Sequence, residues 1–251
     1  MKNHKNYTQT TSTNTLMREM LQENPNLPAF SVVSAGFQTQ GRGQRQNVWE
    51  SEQDKNLLFS LLIRPQTIPA TKAFVVSQIV SVAIANILSR YIKNIAIKWP
   101  NDIYCGNKKI CGILIENSLM GTNLNTSIVG VGVNINQREF SPFLPNPTSL
   151  AMLTKQTYCL QDILKEVVGE IEQQYECYIS NGEEQIDALY HSLLYRRNAI
   201  SKFKIHNTSY SGGENIEEAT IIGVEPNGCL KLKHADDTIH SYAFKEVEYI
   251  I

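Results

Sequence analysis

Ile95-Ala96-Ile97-Lys98-Trp99-Pro100-Asn101-Asp102-Ile103-Tyr104-Cys105-Gly106-Asn107-Lys108-Lys109-Ile110-Cys111-Gly112 is the stretch that decides the fold of this chain. Ile95, Ile97 and Trp99 alternate with the period of a strand, and Pro100-Asn101-Asp102 ends it with residues that favour turns. Residues 103–105 and 108–116 then flank Gly106-Asn107, a pair suited to a tight hairpin. Cations, a flat aromatic ring and a glycine are thereby brought close together, the parts needed to hold a small anion beside a nucleotide.

Outward from this hairpin, residues 127–136 read as a further strand. Val129, Val131, Val133 and Ile135 share one face, and Gly130, Gly132, Asn134 and Asn136 share the other. The glycine face leaves room for a ligand, with Asn134 as a polar contact, or for the close approach of a neighbouring element. Upstream, residues 36–52 form a polar loop around Gly41-Arg42-Gly43. Its glycine spacing approaches that of a P-loop, but Arg42-Gly43 stands where Lys-Ser/Thr is required, and Gln46 stands where a dinucleotide fingerprint needs glycine. What remains is a loop carrying Arg42 and Arg45, with Trp49 beyond, and guanidinium groups suit carboxylate and phosphate oxygens. Each feature also has a plain explanation. Exposed lysines are usually solvated, Trp99 fits a core, Asp102 fits a turn, and Ser12-Thr13-Asn14 fits a helix cap.

The remaining elements follow from pattern. The first dozen residues are polar and read as loose; a short helix follows Ser12. Strands are expected at 30–34 and 57–63, and a long buried helix at 71–91. Helical periodicity covers 160–178 and 185–194. After Asn198 short strands crowd together between turns at Ser211-Gly212-Gly213, Asn227-Gly228 and Asp236-Asp237, which suggests a small β-barrel. The division expected is a domain over 1–197 and a second over 198–251.

Bulk composition narrows the function. The 251 residues carry a net charge of −1, so no global field attracts nucleic acid or an acidic membrane. No secretory signal is visible, and the apolar run 73–88 is interrupted by Ser77, Gln78, Ser81 and Asn86, as in a buried helix. The five cysteines form no CxxC pair and the five histidines are scattered, so neither a disulfide framework nor a protein-built metal site is expected. Cys105 and Cys111 are close enough to face each other across the hairpin, but buried reduced thiols in a cytoplasmic setting are the better reading.

Taken in order, Ser12-Thr13-Asn14, Gln38-Thr39-Gln40-Gly41-Arg42-Gly43 with Trp49-Glu50-Ser51, Lys98-Trp99-Pro100-Asn101-Asp102-Ile103, Lys109-Ile110-Cys111-Gly112-Ile113-Leu114, and Gly130-Val131-Gly132-Val133-Asn134-Ile135-Asn136 closely resemble the biotin protein ligases (biotin–[acetyl-CoA-carboxylase] ligases). The resemblance implies an α+β fold: a catalytic domain with a mixed sheet, related to class II aminoacyl-tRNA synthetases, followed by an SH3-like barrel. It implies ATP-dependent biotinylation of a lysine on a biotin carboxyl carrier protein through biotinyl-5′-AMP, with Mg²⁺ accompanying ATP. By resemblance Ser12, Thr13, Asn14, Gln38, Gly43, Gln44 and Gly112 surround biotin, and Trp49, Asn101 and Asn134 the adenylate. Arg42 and Lys109 contact both and carry the catalysis.

Only about ten polar residues precede the first motif, so the repressor's DNA-binding domain found in some members is not expected here. A monomer or homodimer fits. Gln44 and Asn47 stand where much of the family has basic residues, with Arg45 between them. Two rival readings remain: a lipoate or other acyl-carrier ligase on the same fold, and a non-catalytic adenylate-binding regulator.

Overall fold

The computed structural model describes residues 3–44, 47–206 and 214–251. A seven-stranded mixed sheet runs in the order β1-β2-β3-β7-β6-β5-β4. Its strands are β1 (His4–Thr10), β2 (Val32–Gln38), β3 (Leu57–Ile63), β4 (Ile95–Lys98), β5 (Asp102–Cys105), β6 (Lys108–Met120) and β7 (Asn123–Val133). Only β1 and β2 pair in parallel; the other neighbours are antiparallel.

β3 is buried at every position, as expected for a strand covered on both faces. One face carries α2 (Phe74–Ser89), α4 (Leu160–Asn181) and α5 (Glu183–Ser192), with Val129, Val131 and Val133 in the shared core. The segment Ala70–Ser89 is long and apolar enough to cross a membrane, yet Val76, Ile79, Val80 and Ala83 are fully buried in this core. The opposite face is covered by α1 (Thr13–Glu23), where Met17 packs with Val33, Leu62 and Ile128. The glycines of β7 alternate with its valines and so belong to this α1 side.

The expectation of a loose N-terminus is corrected: His4–Thr10 is an edge strand. An edge strand pairs through its backbone on one side and needs little apolar surface. Only every third side chain is half-buried (His4, Tyr7 and Thr10), so no alternating pattern betrays it. The loop expected from Gly36 begins later, because β2 continues to Gln38.

Beyond α3 (Leu150–Thr154) and the two long helices, five strands form a second, antiparallel sheet. They are β8 (Ile200–His206), β9 (Glu214–Val224), β10 (Leu230–His234), β11 (Ile239–Tyr242) and β12 (Val247–Tyr249), in the order β11-β10-β9-β8-β12. The expected barrel is an open sheet among the described residues, with β11 and β12 at its edges. The physical reason is local. A tight turn at residues 243–246 sends the chain from one edge to the other, and the three-residue β12 spends its hydrogen bonds on β8. The Ser211-Gly212-Gly213 turn lies outside the described residues.

The two sheets share one apolar core, which includes Ile97 and Tyr190 as well as Phe203 and Leu232. Trp99, 2% exposed, donates its indole Nε1–H to the Gly228 carbonyl at 2.8 Å and meets Phe244 edge-on. Cys105 pairs with Ile95 in register and Cys111 with Ile103, so the two thiols do not face each other. All five cysteines are free, but only Cys111 is buried, where desolvation pushes its thiol pKa up.

Candidate active site

A cavity of about 510 Å³ opens on the α1 side of the sheet. Its wall includes Ser12, Thr13, Asn14, Gln38, Arg42, Gly43, Gln44, Trp49, Asn101, Lys109 and Gly112, which is every residue that the resemblance assigns to biotin or the adenylate except Asn134.

One end is a polar bed at the start of α1. Ser12 is the N-cap residue, yet its side chain makes no capping bond. Gln38 Oε1 accepts from the Thr13 backbone N–H at 2.8 Å and the Thr13 hydroxyl at 3.1 Å. Ser60, which the sequence did not single out, sits beneath, 2.8 Å from Thr13 Oγ1 and 2.6 Å from Asn14 Oδ1. Asn14 in turn lies against Gly130, where a Cβ would come within 2.9 Å of Asn14 Cγ.

The middle is the glycine face. Gly112 and Gly132 are cross-strand partners on β6 and β7. A Cβ on either would fall within 2.7 Å of the Trp49 ring, so the indole lies flat on a floor that only glycine leaves open. The glycine face receives the close approach of a neighbouring element, and that neighbour, Trp49, is itself a cavity residue. Trp49 Nε1 and Gln44 Oε1 are buried without a partner among the described residues, which leaves a donor and an acceptor for a ligand.

The Arg42 loop is a small hairpin. Arg42 bridges Val48, the Gly43 N–H donates to Asn47 O at 2.7 Å, and the Trp49 N–H donates to Gly41 O at 2.9 Å. Arg45 and Gln46 lie outside the described residues. Arg42 is 3.5 Å from Glu116 and 3.3 Å from the Thr15 hydroxyl.

The other end holds the second cation. Lys109 Nζ is 2.7 Å from Asp102 Oδ1 and 5.6 Å from the centre of the Trp49 ring. The Asn101 amide donates to Ile113 O at 2.6 Å, which ties the turn after β4 to β6. Lys98 is no solvated side chain: its ammonium sits 4.5 Å from the Tyr249 ring centre and 5.4 Å from that of Tyr104. Burial lowers its pKa, partly offset by the Asp102 charge. The same burial pushes the Tyr104 hydroxyl up to about 12.

Phe244, Glu248 and Tyr249 bring the C-terminal sheet into the cavity wall, a contribution with no sequence signal. Asn134 is the exception among the selected residues. Its amide donates to Thr148 O at 3.0 Å and its backbone N–H to Ile110 O, so it braces the segment leading into α3. Among the described residues no cluster of three or more His, Cys, Asp or Glu could hold a metal ion.

The sequence matches the Biotin/lipoate A/B protein ligase family over residues 7–134. It is 28% identical over 219 residues to the bifunctional ligase/repressor BirA of Bacillus subtilis (strain 168), a match covering 85% of this chain and 67% of that protein. It is 35% identical over 120 residues to the biotin–[acetyl-CoA-carboxylase] ligase of Paracoccus denitrificans, covering 47% and 49% of the two chains. The fold is that of the Aquifex aeolicus biotin protein ligase solved with biotin and ATP, at TM-score 0.78 and 23% identity over 100% of both chains. The Leishmania major biotin protein ligase solved with biotinyl-5-AMP superposes at TM-score 0.65 and 22% identity, covering 97% of this chain and 99% of that one.

Proposed function

The chain belongs to the Biotin/lipoate A/B protein ligase family, and we propose that within it this protein is a biotin protein ligase. It joins biotin to ATP as biotinyl-5′-AMP with release of pyrophosphate. It then passes the biotinyl group to a lysine of a biotin carboxyl carrier protein and releases AMP. The observation that carries this reading is one cavity with a polar bed, a glycine-and-indole floor and cations from two separate elements, Arg42 and Lys109.

The chemistry asks for little else. Biotin's carboxylate is ionised at neutral pH, so the first step needs no general base. A carboxylate oxygen bonds to the α-phosphorus while the bond to the β-phosphate oxygen breaks. Two anions must be held in line, which fixed cations make affordable. Arg42 and Lys109 fill that role, and Lys98 adds charge at the phosphate end. In the second step the acceptor amine attacks the acyl carbon, AMP leaves, and the amine's extra proton passes to solvent or phosphate.

Ser12, Thr13, Asn14 and Gln38 receive biotin's ureido bicycle, with Gly43, Gln44 and Gly112 around its chain. Trp49 and Asn101 face the adenylate, and Asn134 supports that wall from behind. Asp102 and Glu248 are cavity carboxylates, and Asp102 is already paired with Lys109. The donor set therefore suits Mg²⁺ that arrives on nucleotide phosphates rather than in a protein cage. Bound there, Mg²⁺ supplies charge neutralisation on the leaving pyrophosphate. A cytoplasmic location is part of this reading, supported by the five free thiols.

Pyrophosphate exchange with biotin, lipoate and octanoate as competing acids tests the substrate assignment. Exchange with biotin alone is expected. Exchange driven by lipoate or octanoate, and not by biotin, would replace it with the acyl-carrier ligase reading.

A further inference from the structure

Glu116, on β6 just outside the cavity wall, gathers four donors that connect both sides of the site. Arg18 Nη2 donates to its Oε1 at 2.7 Å, and the Asn14 amide donates to its Oε2 at 2.8 Å. Arg42 reaches both oxygens only at 3.5 Å, through Nη1 and Nη2. Arg18 lies on α1 and does not line the cavity, whereas Asn14 and Arg42 do.

Two consequences follow from donor and acceptor rules. An ionised carboxylate only accepts, so the Asn14 NH₂ must face Glu116 and its Oδ1 must face Ser60. The single Ser60 hydroxyl hydrogen then goes to Asn14 Oδ1, the nearer of its two neighbours at 2.6 Å, while the Thr13 hydroxyl gives its own to Gln38 Oε1. Glu116 thus sets the direction of the polar chain beneath the bed. The second consequence concerns charge. At 2.7 Å Arg18 makes a good hydrogen bond with Glu116, while at 3.5 Å Arg42 stands at the limit of one. Arg42 is oriented by Glu116 through a long ion pair and is held by it less firmly than Arg18 is.

We propose that Arg18 and Glu116 are positioning residues that keep Arg42 poised for an anionic ligand, Arg18 occupying the carboxylate so that Arg42 is free to leave it. This rests on the reading of Arg42 as the cation that meets biotin's carboxylate. Without Arg18, Glu116 captures Arg42, and the incoming carboxylate must compete with an internal one. The pair is partly exposed, which keeps the effect modest.

Calorimetric titration of the full chain with biotin, and with uncharged biotin methyl ester, reads this directly. Arg18→Ala is expected to weaken biotin binding about five-fold and leave the ester unaffected. Arg18→Lys keeps a cation for a one-point contact and binds biotin as the wild type does. Arg18→Ala/Glu116→Gln recovers to within about two-fold of wild type, because a neutral side chain no longer captures Arg42. Arg18→Ala/Glu19→Gln restores the same net charge on an exposed neighbour and stays impaired. Wild-type affinity in Arg18→Ala, a loss that persists in the Glu116→Gln double, or equal recovery in both doubles would each overturn the proposal. Wild-type protein that bound no biotin would overturn the functional reading itself, and the proposal with it.

Discussion

Lys109 Nζ stands 2.7 Å from Asp102 Oδ1, across the hairpin formed by β5 and β6. The ion pair fixes the ammonium at the cavity wall before any ligand arrives, so its orientation costs nothing at the moment of reaction. Lys109→Ala is therefore expected to cut biotin-dependent pyrophosphate exchange by at least about 100-fold. ATP affinity by calorimetry should change by no more than about three-fold, since the lost cation serves charge that develops in the transition state. Exchange near the wild-type rate would remove Lys109 from that role.

The Trp49 indole rests on Gly112 and Gly132, and a methyl group at position 132 would come within 2.7 Å of its ring. Gly132→Ala should displace the indole, weaken ATP binding about ten-fold, and cost about 1–3 kcal/mol of stability through overpacking. Calorimetry and urea unfolding measure the two effects. ATP affinity that survives the substitution would mean that Trp49 does not form the adenylate side of the cavity.

Trp99 links the turn after β4 to the C-terminal sheet through its 2.8 Å bond to Gly228 O. Trp99→Phe removes that donor and leaves the half-buried Gly228 carbonyl unpaired, a loss of about 1 kcal/mol. The C-terminal sheet carries Phe244, Glu248 and Tyr249 into the cavity wall, so the same variant should raise the KM for ATP. A lower urea midpoint with an unchanged KM would show that the sheet's docking is structural only.

Gln44 lines the cavity with Oε1 buried and unpartnered among the described residues, and Asn47 closes the Arg42 hairpin through its carbonyl. Neither carries charge toward an adenylate. Gln44→Arg/Asn47→Arg should slow release of free biotinyl-5′-AMP, by about ten-fold for an added charge-assisted contact. Rapid filtration with labelled biotin follows the release, and an unchanged rate would mean that the loop does not retain the intermediate.

Much of the molecule was legible from residue pattern because the signals are local. The alternation of Val129, Val131 and Val133 against Gly130 and Gly132 marked a strand with one open face. Gly106-Asn107 marked the hairpin that carries Lys109. What escaped depends on partners distant in sequence. The strand His4–Thr10 is held by backbone pairing to β2, which leaves no apolar signature. The C-terminal strands look like a barrel until the short β12 is seen to pair with no strand but β8 among the described residues. Lys98 reads as a solvated lysine until Tyr249, far along the chain, closes over it. Asn134 lies just past the end of β7 and off the cavity wall, its amide spent on Thr148, a contact that spacing along β7 does not reveal.

Transfer of labelled biotin onto a purified biotin carboxyl carrier domain, with ATP and Mg²⁺, bears most directly on the proposed activity. The expected result is one biotinyl group per carrier domain, seen as a single mass increment, dependent on ATP and abolished when the acceptor lysine is replaced. A folded protein that left the carrier domain unmodified under those conditions would contradict the ligase assignment.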